Sequence, residues 1–83
     1  MELLMGIRGE RFVKFLRAKL RERKGLIDGY NDLDFSKELG VEYETLKGWI
    51  RPGRVSVDRL DLDNFFAIEK VYGKEFTDYL KGD

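Results

Sequence analysis

Residues 32–51 read DLDFSKELGVEYETLKGWIR, and the spacing within them decides the architecture. Phe35 and Leu39 stand four apart, which puts both on one face of a short helix over 32–39. Leu46 and Trp49 stand three apart, on the inner face of a second helix that opens at Glu42 or Tyr43 and reaches about Arg51. Gly40 falls between the two. Glycine tolerates the positive φ that ends one helix and turns the chain into the next. Val41, apolar in a tight turn, is expected to wedge between the helices. Ser36 is small enough for two helices to cross closely. Asn31 supplies an N-cap for the first helix, with Asp34 three residues on as a shortened capping-box partner. Pro52-Gly53 ends the second.

Outward from this segment the periodicity stays helical. Over residues 8–24, Phe12, Phe15, Leu16 and Leu20 form an apolar stripe that Val13 widens. Arg11, Lys14, Arg17, Arg21 and Lys24 lie mostly outside it. Gly25 is the expected stop, and Asp28-Gly29 marks a turn. A fourth helix is expected to open at Ser56 or Asp58, with Leu62, Phe65, Phe66, Ile68 and Tyr72 as its apolar face and Gly73 at its end. A last helix over 75–81 carries Phe76, Tyr79 and Leu80. The expectation is an all-α chain, a compact five-helix bundle forming one domain over residues 1–83.

Composition removes whole classes of chemistry. There is no cysteine and no histidine, so the sequence offers neither a thiolate metal site nor the commonest general base. The two serines, Ser36 and Ser56, sit in no nucleophile motif. The reading is therefore a non-enzyme with no metal, no cofactor and no small-molecule substrate. No apolar run approaches the length of about 18 residues that spans a membrane. The first six residues are too short for the apolar region of a signal peptide. A cytoplasmic protein is expected.

Net charge is zero, but the charges are not evenly spread. Residues 1–25 hold eight Lys/Arg against three Asp/Glu, a balance of +5, and residues 26–83 carry −5. A phosphate responds to the local field rather than the net charge, so a neutral chain can still present one basic face. The same residues also fit a plain solvated basic helix, or one lying on an anionic membrane; the apolar stripe beneath them is better suited to a core.

The segment resembles the helix-turn-helix of the lambda-repressor and Cro superfamily. The likeness extends over about residues 10–82. The run TLKGWIRPGR, the later VYGKEF and the closing DYLKGD are similar to the amino-terminal domain of phage immunity repressors. The resemblance implies a sequence-specific regulator that binds double-stranded DNA as a homodimer, with its second motif helix in the major groove. In such a protein Phe35, Ser36, Leu39, Gly40, Val41, Leu46 and Trp49 hold the motif together.

The resemblance carries contact roles to the exposed positions of the second helix and the loop after it: Glu42, Tyr43, Glu44, Lys47, Gly48, Arg51 and Arg54, with Arg59 further along. Lys47 and Arg51 are four apart and share a face in a continuous helix. Arg51 suits a forked contact to phosphate or guanine, and Lys47 a point-charge contact. Gly48 costs helix stability, which close backbone approach to DNA, or to another helix, would explain. Tyr43 fits a thymine methyl, a phosphate or plain surface. Glu42 and Glu44 depart from the pattern, because carboxylates repel phosphate. They sharpen selectivity by penalising wrong sites, or they mark a copy of the fold that has become a protein-interaction module without DNA binding. For a homodimer, Phe76, Tyr79 and Leu80 are the candidate contacts, unless they close the core.

Overall fold

The computed structural model describes residues 7–55, 57 and 61–82. They form five α-helices and no strand: α1 (Ile7–Leu26), α2 (Asp32–Leu39), α3 (Tyr43–Ile50), α4 (Leu62–Tyr72) and α5 (Lys74–Lys81). The α1 stripe is the spine of the core. Phe12, Val13, Phe15, Leu16 and Leu20 are all buried, together with Phe35, Leu39, Leu46, Trp49, Val57, Ile68, Phe76 and Leu80. α1 packs against α3 and α5, α2 against α3 and α4, and α4 against α5.

Local chemistry sets the ends of α2. The Asn31 side chain accepts from the Asp34 backbone N–H at 3.0 Å, and the Asn31 N–H donates to the Asp34 carboxylate at 3.1 Å, a reciprocal cap. At the other end Gly40 takes φ 75°, and the N–H groups of Gly40 and Val41 both return to the Ser36 carbonyl. A side chain with a Cβ would be strained there. Ser36 is buried, its hydroxyl donating to the Leu33 carbonyl at 2.7 Å. Val41 is half-buried against the core.

Three expectations change. Gly25 does not stop α1: the helix runs on to Leu26, and the left-handed residue is Gly29, φ 82°. The Ile27 N–H still reaches the Arg23 carbonyl, so the backbone ladder carries the helix through a glycine that has no need to turn. α4 begins at Leu62, capped by Asp61, which accepts from the Asp63 N–H; the proposed openings at Ser56 and Asp58 lie outside the described residues. Its inward face is the buried Ile68 with the half-buried Phe65 and Tyr72, spaced three and four apart, whereas Leu62 and Phe66 are 64% and 55% exposed. Phe66 follows Phe65 by about 100° around the helix, so only one of the pair can point inward. In α5, Phe76 and Leu80 close the core, leaving Tyr79 as the exposed member of that trio.

Polar clamps join the helices at their rims. Glu38 on α2 accepts from Arg23 on α1 at 2.5 Å and from the Tyr30 hydroxyl at 2.5 Å. Lys19 pairs with Glu75 and lies over the rings of Phe15 and Tyr72 at 5.4 and 5.5 Å, tying α1 to α4 and α5.

The Tyr30 hydroxyl is held well above its ordinary value, first by burial and then by its hydrogen bond to Glu38. The native state keeps this proton after the unfolded chain has lost it. Its stabilising contribution is therefore complete below pH about 10 and is lost as pH rises beyond that. Urea unfolding at stepped pH is expected to show the midpoint falling above pH about 10, and Tyr30→Phe to flatten that fall.

Candidate nucleic-acid interface

α3 presents two contrasting sides. Leu46 and Trp49 turn inward, the indole standing edge-on to Phe12 with ring centroids 5.0 Å apart. Tyr43, Glu44 and Lys47 turn outward and are exposed. These three form a linked surface set: the Lys47 ammonium lies 4.9 Å from the centroid of the Tyr43 ring and 3.9 Å from the Glu44 carboxylate. Glu44 is the most open of them, its side chain 83% exposed. Glu42 stands at the N-cap but makes no side-chain capping bond, so its carboxylate is exposed beside the start of the helix.

Gly48 sits among these residues. A Cβ built on it would meet nothing within 4 Å. Among the described residues, packing around that position does not require a glycine.

The C-terminal end of α3 is held from two directions. Arg17 on α1 donates to the Arg51 carbonyl at 2.6 Å and approaches the Ile50 carbonyl at 3.5 Å. Arg54 donates to the Gly48 carbonyl at 3.1 Å. Both guanidinium groups thus lie at the negative end of the helix, where unsatisfied carbonyls favour cations. Arg51 is the C-cap; its φ of −61° is still helical and its ψ of 151° is extended, so the chain leaves the helical path after it. Its side chain is exposed. Arg54 is half-buried and takes part in holding the helix; Arg59 lies outside the described residues.

A second basic surface adjoins the same end of α3. Arg17, Arg21 and Lys24 from α1, with Leu20, Asp32, Ile50 and Pro52, line a groove of about 380 Å³. Lys24 sits 3.3 Å from the Asp32 carboxylate and Arg17 is engaged by the α3 carbonyls, whereas Arg21 has no ion pair with a described residue. Three basic residues of α1 are therefore brought against the end of α3, a placement that no local pattern in α1 announces.

No family model matches the chain, and neither a curated protein nor a solved structure matches it.

Gly48→Ala tests what the glycine is for. With open space at the position, alanine is expected to stabilise α3 by about 1 kcal/mol, read as a higher urea midpoint. Destabilisation would show that something inside the chain needs the glycine.

Proposed function

We propose that this chain is a helix-turn-helix DNA-binding domain, with α2 and α3 as the motif and α3 as the helix that enters the major groove. The observation that carries the reading is the two-sidedness of α3 around Gly48. One side is locked to Phe12 through Trp49, and the other offers Tyr43, Glu44 and Lys47 beside a glycine whose Cβ position meets no described atom within 4 Å. A reading helix needs both properties: a fixed orientation and an open face at which base edges and phosphates can be reached.

The roles divide by chemistry. Lys47 serves as a phosphate contact. The exposed Arg51 holds phosphate or a base edge beyond the end of the helix. Glu44 opposes phosphate and disfavours sequences that bring one close. Arg54 acts chiefly by fixing α3 through the Gly48 carbonyl. The finer reading is a cytoplasmic regulator of the phage-repressor type, occupying an operator as a dimer and needing no cofactor. Half-sites are then about one helical turn apart.

The exposed carboxylates of Glu42 and Glu44 favour one rival, a protein-interaction module on the same fold. Titration of a selected duplex and a random duplex at several salt concentrations separates the two. On the DNA reading, Lys47→Ala weakens both duplexes about equally and lowers the salt slope by about one unit. Arg51→Ala costs about 1 to 3 kcal/mol on the selected site if it reads a base, and follows Lys47→Ala if it holds phosphate. Glu44→Gln raises non-specific affinity. Should all three variants match the parent on both duplexes, α3 does not read DNA and the rival stands.

A further inference from the structure

α4 carries more exposed large hydrophobic residues than any other described helix, and two opposite charges on its outward face, Asp63 and Lys70, stand symmetrically about its middle. Leu62 and Phe66 are largely exposed, and Val71 is 39% exposed. With Ala67 and Lys70, Phe66 and Val71 also line a shallow groove of about 500 Å³ that α4 shares with the end of α2. Phe66 and Ala67 mark the middle of this face, opposite the core-facing Phe65, Ile68 and Tyr72. Asp63 lies three residues before Phe66, and Lys70 three residues after Ala67. Both are exposed, and neither is ion-paired with any described residue.

We propose that this face is a self-association surface whose occupant is α4 of a second copy of the chain, running antiparallel about a two-fold axis. Antiparallel pairing centred between Phe66 and Ala67 sets Asp63 against Lys70 of the second copy, and Lys70 against its Asp63. Phe66 and Leu62 then continue into the same residues of the second copy along one side of the seam, and Ala67 and Val71 along the other. Parallel pairing would instead oppose Asp63 to Asp63 and Lys70 to Lys70. A two-fold contact must be complementary to itself, and the sequence of α4 meets that condition in one orientation alone. The charge pattern thus selects a second copy over an unrelated partner. An eleven-residue helix makes a small interface, so the association is weak and reversible. The inference does not depend on DNA binding and is tested without DNA.

Sedimentation equilibrium over a wide concentration range gives the test. The parent chain is expected to pass from monomer to dimer. Phe66→Glu is expected to weaken the dimer at least tenfold with helicity unchanged, since the side chain is already exposed. Asp63→Lys and Lys70→Asp should each weaken self-association. A mixture of those two variants should recover it, because each then supplies the charge the other lacks. The double variant should recover it alone. Matched charge changes at the exposed Asp28 and Lys81 control for net charge and should leave the parent and the mixture ratio unaltered. A chain that stays monomeric into the millimolar range overturns the proposal. So does a dimer that survives Phe66→Glu, one that responds equally to the control changes, or one abolished by Tyr79→Ser on α5.

Discussion

Trp49 stands edge-on to Phe12, and the orientation of α3 depends on that contact. Eight residues are too few for a helix to persist alone in water, because nucleation is costly and the helix is short. α3 therefore has its structure from its attachment to the rest of the chain. Leu46 and Trp49 bury its inner side, while Arg17 and Arg54 satisfy carbonyls at its end. Phe12 also meets Phe76 at 6.0 Å, and Phe76 in turn packs on Phe15 and Phe65. One aromatic cluster thus connects the last helix to the orientation of the third. A change in α5 that loosened Phe76 would be felt at Tyr43 and Lys47 without touching them.

What was legible in the sequence was what local chemistry decides. The Asn31–Asp34 cap and the left-handed Gly40 follow from residue types a few positions apart, and α2 begins and ends where they put it. The inward places of Phe35, Leu39, Leu46 and Trp49 follow from helical spacing, and that of Ser36 from the small size that lets two helices cross closely. The misreadings have a common physical cause. Gly25 permits a stop but does not impose one, and Gly29 was equally available. Leu62 and Phe66 are apolar, yet composition alone cannot say which of two adjacent phenylalanines faces the core. Arg17 carries no local sign of its partner, because the carbonyls it caps lie more than thirty residues away. The candidate surface was legible as a set of residues, whereas Arg51 at the helix end and Arg54 on the Gly48 carbonyl required the tertiary arrangement.

The two exposed surfaces differ in kind. That of α3 is polar, its outward side chains linked to one another, and it ends beside the basic groove of α1. That of α4 is apolar with one charge of each sign toward either end. They fall on different helices, and none of the residues of the proposed α4 seam belongs to α3. If the proposed function holds, a weak symmetric contact of this sort would let two copies bind a two-fold related site more tightly than either alone.

The central claim concerns α3 alone, and backbone amide NMR of the chain titrated with a duplex selected from a random pool tests it most directly. The account predicts that the pool enriches a defined sequence. It predicts that the largest shifts on adding this duplex fall at Tyr43, Glu44, Lys47 and Gly48, with lesser ones at Arg17 and Arg21. A pool that enriches nothing, or a bound duplex that leaves the amides of α3 unshifted, would contradict it.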